Sequence, residues 1–114
     1  MNQPNAAQRR FPRLPSVNAL LVKKRDSAAD EGLAKTRVVG LGGCMFVAEQ
    51  PVGVGAHLDL LISVWGKVAK TVGRVVYEVP KGDRQIEVGV EFLAIAPHDR
   101  EVIRTLFPES QPER

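Results

Sequence analysis

Apolar and polar residues alternate along much of this chain with a repeat of two. The alternation is clearest in residues 56–64, where every second side chain is apolar, and it returns in residues 86–92. A repeat of two predicts a β-strand with one buried and one solvated face. Three shorter apolar segments and one long segment, residues 67–79, are also predicted to be strands. The six predicted strands are residues 17–24, 34–39, 43–48, 56–64, 67–79 and 86–92.

Glycine and proline residues mark the predicted chain reversals, because they favour turn conformations. These reversals lie at residues 40–43, 50–53, 65–66 and 80–83. In the long strand the apolar positions change parity across Gly73, which predicts a bulge or a bend there. We expect one face to carry Val68 and Val72 before the change, and the other face to carry Val75, Tyr77 and Val79 after it.

Only the C-terminal end has the pattern of a helix. Pro97 suits a first helical position, and an apolar stripe with a repeat of three to four residues follows it as far as residue 107. We therefore predict an all-β fold, a six-stranded antiparallel barrel with a C-terminal α-helix, because a closed barrel leaves no exposed sheet edge. The predicted domain has three parts between a disordered lead (1–8) and a polar tail (108–114): an extended arm (9–16), the barrel (17–93) and the helix (97–107).

Composition agrees with one small folded domain. The chain has 114 residues, of which 44% are hydrophobic and only 5% aromatic, so Val, Leu and Ile must form most of the core. It contains no apolar run long enough to span a bilayer, and we expect a soluble, cytoplasmic protein without membrane insertion. The basic charge is concentrated, since residues 1–25 carry six basic side chains and no acidic one. Such a segment is either a solvated tail or a site for a phosphate-bearing ligand.

Candidate catalytic groups are few and scattered. His57 and His98 share no metal-binding spacing with the single cysteine, Cys44, whose apolar neighbours predict a buried thiol. No serine or threonine has a neighbouring histidine or aspartate that would activate it. The glycines of residues 40–43 are not followed by the Gly-Lys-Ser/Thr of a nucleotide-binding P-loop. We therefore predict a protein that is not an enzyme and has no cofactor, no metal site and no catalytic residue.

The order of these features resembles the PilZ domain family over roughly residues 8–107. Arg9 and Arg13 match the family's N-terminal RxxxR arm, and Arg10 is the commonly doubled arginine. Residues 37–44 lie where the family's second motif, D/N-x-S-x-x-G, belongs. Two later segments are also similar to the family: Gly73–Val76 and Val88–Phe92.

The resemblance implies a binding site for cyclic di-GMP. In PilZ receptors the arm folds over this ligand, its arginines engage phosphates and guanine faces, and the second motif hydrogen-bonds a guanine edge. Gly43 matches the last glycine of that motif, but Val38 replaces the Asp or Asn and Gly40 replaces the Ser. A lost hydrogen bond weakens binding by about 0.5–1.5 kcal/mol, or by about 1.5–3 kcal/mol where one partner is charged, so the two departures together predict a loss of roughly two to three powers of ten in affinity.

Three functions remain open at this point. The chain is a receptor that binds cyclic di-GMP through Arg9, Arg10, Arg13 and Gly43 and relays the signal to an unidentified protein effector. Alternatively, it is a PilZ-fold adaptor that has lost the ligand and acts by protein contacts alone. In the third interpretation it is an OB- or SH3-type barrel whose basic arm binds RNA or DNA, although a nucleic-acid partner is disfavoured because few aromatic residues are available for base stacking.

Overall fold

The computed structural model describes residues 13–25 and 31–107. These residues form seven strands and one helix: β1 (Arg13–Pro15), β2 (Ala19–Lys24), β3 (Glu31–Gly40), β4 (Gly43–Ala48), β5 (His57–Val64), β6 (Lys67–Gly82), β7 (Gln85–Ile95) and α1 (Pro97–Arg104).

Six of the strands close into an antiparallel barrel. They follow the order β3-β2-β5-β6-β7-β4, and pairing between β3 and β4 completes the circle. The short strand β1 lies outside this circle and pairs with the end of β3. The prediction of a six-stranded barrel with one C-terminal helix is confirmed. The predicted arm contributes a strand of its own, and β3 begins at Glu31, three residues before the strand predicted from residue 34.

The barrel interior is filled by aliphatic side chains. The alternation predicted for β5 is confirmed, since Leu58, Leu60, Ile62 and Val64 are all at most 1% exposed. Helix α1 adds Val102 and Ile103 to this core. The helix packs beside the first residues of β6, which precede Thr71, where pairing with β7 begins. Asp99 of the helix accepts a hydrogen bond from the backbone N–H of Lys70 (3.0 Å). The helix therefore covers the part of β6 that has no neighbouring strand on that side.

The predicted facing of β6 is wrong in its first half. Ala69 and Thr71 point into the barrel, whereas Val68 is 53% exposed. The register does shift at Gly73, but the unpaired residue there is Leu93 of β7, and β6 has its own bulge three residues later, at Val76. Because a bulge changes which face a side chain occupies, Tyr77 lies on the outer surface instead of beside Val75 in the core.

The turns agree with the prediction except at one position. Trp65 and Gly66 both have positive φ (53° and 80°), as a two-residue hairpin turn of type I′ requires. The turn predicted at residues 80–83 is displaced, because β6 continues through Gly82 and the chain reverses at Asp83 and Arg84.

Candidate functional site

Strand β1 brings the arginine arm to the glycine-rich turn. Arg13 pairs with Gly40, the last residue of β3, and Pro15 pairs with Val38. The backbone N–H of Ser16 then donates to the carbonyl of Arg37 (2.9 Å). Pairing of backbone groups therefore fixes the position of Arg13 beside the turn that joins β3 to β4.

A buried threonine anchors the end of the arm. The Thr36 hydroxyl donates to the carbonyl of Ser16 (2.7 Å) and accepts from the backbone N–H of Asn18 (2.9 Å). The Asn18 side-chain amide in turn donates to the carbonyl of Ser63 in β5 (2.9 Å). Since Thr36 has no exposed surface, these bonds are protected from water and tie residues 16–18 firmly to the barrel.

An apolar row runs from β1 across the outer surface of the barrel. Pro15 pairs with Val38, Val38 with Met45, Met45 with Gly89, and Gly89 with Tyr77. Bulges at Arg37 in β3 and Val76 in β6 set this alignment. The row lines a concavity of about 320 Å³, which we call the arm face; its residues are Arg13, Leu14, Pro15, Val38, Met45 and Tyr77.

Two glycines, one beneath the arm face and one at the start of β4, allow close approach between strands. A Cβ on Gly89 would overlap the ring of Tyr77, so the ring lies directly on the backbone of β7. A Cβ on Gly43 would overlap the carbonyl oxygen of Val90, which is backbone and cannot rotate away. The absence of a side chain at Gly43 therefore has a structural reason within the barrel, whether or not a ligand also approaches this residue.

Arg13 supplies positive charge to this surface. Its side chain is exposed, and it forms no ion pair with another residue of the described chain. Beneath it, burial raises the pKa of the Cys44 thiol to about 12, and the nearby charge of Arg13 acts in the opposite direction. The predicted burial of Cys44 is confirmed, and at neutral pH its thiol is protonated and unreactive.

A second cation near this surface is already neutralised. Arg74 and Glu91 form an ion pair of 2.5 Å, and Glu91 is the residue opposite Gly43. Among the described residues of the arm face, Arg13 is therefore the arginine whose charge is available for an anionic ligand.

The match to known families covers nearly the whole chain. A family model for the PilZ domain matches residues 7–107. The chain belongs to the PilZ domain family. The alternative fold, a barrel of the OB or SH3 type, is therefore wrong.

Solved PilZ structures share the fold at low sequence identity. The structure of Bacillus subtilis inhibitor of motility, MotI/DgrA, has a TM-score of 0.76 and 16% identity, and the match covers 87% of this chain but 49% of that one. The PilZ domain of Escherichia coli YcgR with c-di-GMP has a TM-score of 0.65 and 14% identity, with 87% and 88% covered. The PilZ domain of CeSA from a cellulose-synthesizing bacterium has a TM-score of 0.62 and 12% identity, with 83% and 93% covered. No curated protein sequence matches the chain significantly.

The structure brings four of the predicted PilZ site residues to one region. Val38 lines the arm face, Gly40 pairs with Arg13, and Gly43 begins the next strand. Arg9 and Arg10 lie outside the described residues, as do the predicted lead (1–8) and polar tail (108–114).

Two residues of the arm face were missed from the sequence. Met45 and Tyr77 lie on strands distant from the arm, and only the strand register places them beside Val38. The available signal was Gly89, an isolated glycine within an apolar strand, since such a glycine indicates that another group approaches the backbone closely.

Two negative findings concern the described residues alone. Within residues 13–25 and 31–107, no three His, Cys, Asp or Glu side chains come together in a group that could hold a metal ion. In the same ranges no helix has the length and apolarity needed to cross a membrane.

Proposed function

We propose that this chain is a non-enzymatic, cytoplasmic signalling module that binds cyclic di-GMP on the arm face and relays binding to a protein partner. The observation that carries the proposal is the pairing of Arg13 with Gly40 beside the concavity that Val38, Met45 and Tyr77 line. An exposed guanidinium and an apolar wall meet there. A nucleotide offers matching parts, namely phosphate oxygens and flat bases.

The chemistry of the arm face suits such a ligand. An arginine can donate two parallel hydrogen bonds to phosphate, and the electron-rich face of a tyrosine ring favours stacking with a base. The concavity of about 320 Å³ lies at the lower end of the usual range for small-molecule sites. Arg9 and Arg10 precede Arg13 closely enough in sequence to add charge to the same ligand. The E. coli YcgR domain, which shares this fold, has been solved with c-di-GMP.

One observation favours a second candidate, an adaptor that works without the nucleotide. Val38 is apolar and Gly40 has no side chain, so neither offers a polar side-chain group to a guanine edge. A base placed against Val38 would leave donors unpaired, which weakens binding. In this case the chain binds a protein partner but does not bind cyclic di-GMP.

Calorimetric titration with cyclic di-GMP separates the two candidates. For the receptor we expect saturable binding, which Arg13→Ala weakens by about tenfold to a hundredfold, the range for a lost hydrogen bond to a charged group. Arg84→Ala is the matched control, because Arg84 is an exposed arginine of the β6–β7 turn and does not line the arm face. Absence of heat at high ligand concentration contradicts the receptor and supports the adaptor.

Variants of the remaining arm arginines test the rest of the proposed site. Replacing Arg9 or Arg10 by alanine should weaken cyclic di-GMP binding as Arg13→Ala does, if all three contact phosphates. If only Arg13 matters, the site consists of the arm face alone, and the contribution of the preceding arm is refuted.

A further inference from the structure

A second apolar row crosses the outer surface of the barrel on other strands. Leu33 of β3 pairs with Leu21 of β2, Leu21 pairs with Leu61 of β5, and Leu61 pairs with Lys70 of β6. Directly paired residues share a face of a sheet, and Leu20, the neighbour of Leu21, is buried in the core. The row is therefore on the outside, where Leu33 is 84% exposed.

The hairpin of β5 and β6 extends this row with two more apolar side chains. Val68 lies on the same side as Lys70, two residues away on β6, and is more than half exposed. Trp65, at the tip of the hairpin, is 77% exposed and has a φ of 53°. A positive φ is unfavourable for a bulky residue, and glycine, asparagine or aspartate usually occupies this position. Because it is exposed, the Trp65 side chain is available for a contact outside the fold.

Two lysines border these apolar residues. Lys35 pairs with Ala19 at one side, and Lys70 lies at the other, near the start of β6. Both are exposed, and neither forms an ion pair with another described residue. We call this surface the lysine-rimmed face; its residues are Leu21, Leu33, Leu61, Trp65, Val68, Lys35 and Lys70.

Acidic groups near the lysine-rimmed face are only partly engaged. Asp59 lies on the outer face of β5, two residues from Leu61, and pairs with Arg25 at 3.2 Å. Asp99 accepts the hydrogen bond from the backbone of Lys70, and Glu49 lines one concavity with Leu33 and Lys35. Arg37 lines the same concavity, so among the described residues basic side chains without an ion pair still outnumber acidic ones here, and the net charge offered to a partner is positive.

We propose that the lysine-rimmed face docks an acidic amphipathic helix of a protein partner. Neighbouring strands are about 4.8 Å apart and a helix rises about 5.4 Å per turn, so a helix laid along the leucine row sets roughly one apolar side chain against each strand. Acidic residues on the flanks of that helix would then meet the lysines. The inference names the partner class for the relay in the proposed function, but it does not require cyclic di-GMP binding.

The same features disfavour two other occupants. A second copy of the chain, placed face to face, would bring the lysines of both copies together. A membrane surface would be reached by loop tips, whereas Leu21 and Leu61 lie in the middle of strands. Charge and position thus both favour an acidic helix.

The single tryptophan makes the proposal directly measurable, because all tryptophan emission comes from Trp65. The probes are two synthetic helical peptides with the same leucine face, one with glutamates and one with lysines on the opposite face. Titrated into the full chain, the glutamate peptide should shift Trp65 emission to shorter wavelength in a saturable way, with an affinity that falls as salt rises. The lysine peptide should bind at least about tenfold more weakly.

Two sets of variants locate the contact. Leu33→Ser should weaken glutamate-peptide binding by at least about tenfold, the effect of losing a central apolar contact. Val54→Ser is the matched control, since Val54 is 66% exposed in the β4–β5 loop, away from the lysine-rimmed face. The double variant Lys35→Glu, Lys70→Glu should reverse the preference between the two peptides.

Several outcomes would overturn the inference. Equal binding of both peptides, or equal effects of Leu33→Ser and Val54→Ser, would show that charge and leucine row do not select the partner. A Trp65 shift with phosphatidylglycerol vesicles but not with the glutamate peptide would identify a membrane site. Concentration-dependent dimerisation in sedimentation that Leu33→Ser abolishes would identify a second copy. Calorimetry of Leu33→Ser with cyclic di-GMP keeps the two proposals apart, because the nucleotide should bind this variant as it binds the parent chain.

Discussion

The arm face and the lysine-rimmed face are built from the same barrel but differ in how they are covered. Each has an apolar row across neighbouring strands. The row of the arm face contains Val38, Met45 and Tyr77, and the row of the lysine-rimmed face contains Leu33, Leu21 and Leu61. On the arm face, β1 lies along the row and the Tyr77 ring lies on Gly89. On the lysine-rimmed face, Leu33 and Trp65 remain largely exposed within the described part of the chain.

Strand register accounts for the difference. The strands under the arm face carry bulges at Arg37 and Val76, whereas the pairings β2–β3, β2–β5 and β5–β6 run without a shift. Bulges bend a strand and turn side chains towards a new direction, which produces a concave surface. Regular pairing leaves the leucine row without such a bend. The arm face suits a small ligand, and the straight leucine row suits an extended partner.

Among changes that compare the two faces, the largest expected effect is the loss of stability in Gly43→Ala. The added Cβ would overlap the carbonyl oxygen of Val90, so β4 and β7 must separate at the edge of the arm face. We expect the free energy of unfolding to fall by about 3 kcal/mol, the upper part of the range for overpacking a core. Urea denaturation followed by circular dichroism measures it.

Gly32→Ala is the matched control on the side of the lysine-rimmed face. A Cβ on Gly32, next to Leu33 in β3, would meet no other atom within 4 Å, and its φ is not positive. This substitution should leave stability unchanged or raise it by about 0.5 kcal/mol, because alanine restricts the unfolded chain more than glycine does. Equal losses of unfolding free energy in both variants would show that the close approach of Gly43 to Val90 does not stabilise the pairing of β4 with β7.

The barrel was predictable because its strands carry their own signal. In β5, alternate residues from Leu58 to Val64 are all buried, as their spacing indicates. The start of β6 misled the prediction, because the small inward residues are Ala69 and Thr71 while the strongly apolar Val68 faces out. A single sequence does not distinguish an apolar residue in a core from one on a surface that another molecule covers.

The site was only partly predictable, because strand pairing assembles it. Arg13 and Gly40 were recognised through family motifs, and their contact depends on a three-residue strand that contains a proline and has no clear periodicity. Met45 and Tyr77 join them only because two bulges shift the register. A one-residue shift moves a side chain to the other face, so the row could not be derived without the pairing itself.

The double variant Val38→Asp with Gly40→Ser sharpens the chemical side of the comparison. Both positions adjoin Arg13, and the variant returns hydrogen-bonding groups to a surface that is otherwise apolar. Two added hydrogen bonds, one of them to a charged carboxylate, should tighten cyclic di-GMP binding by roughly a hundredfold in calorimetry. Val38→Ile is the apolar control and should bring no gain. Unchanged affinity in the double variant would mean that the base does not lie against Val38.

The thiol beneath the arm face predicts a smaller, pH-dependent effect. The folded protein holds the Cys44 proton up to about pH 12, whereas the unfolded chain releases it above its ordinary pKa of 9.0. Between these values the unfolded state binds fewer protons, so the free energy of unfolding falls as pH rises, by about 1.4 kcal/mol per pH unit. Below pH 9 this contribution is constant. Urea denaturation from pH 7 to about pH 10.5 should show a steeper decline in the parent chain than in Cys44→Ala; parallel curves would mean that the thiol is not enclosed.

The smallest expected effect is on the stability of Leu33→Ser, and it tests whether the lysine-rimmed face is open. A leucine that is 84% exposed contributes little to folding, so the free energy of unfolding should change by no more than about 0.5 kcal/mol. Leu60→Ala, in the core of the same barrel, should lower it by about 2–5 kcal/mol in the same urea titration. A loss above about 1 kcal/mol for Leu33→Ser would mean that some part of the chain already packs on this leucine. The contrast between a covered and an uncovered face would then disappear, and with it the reason to expect a partner there.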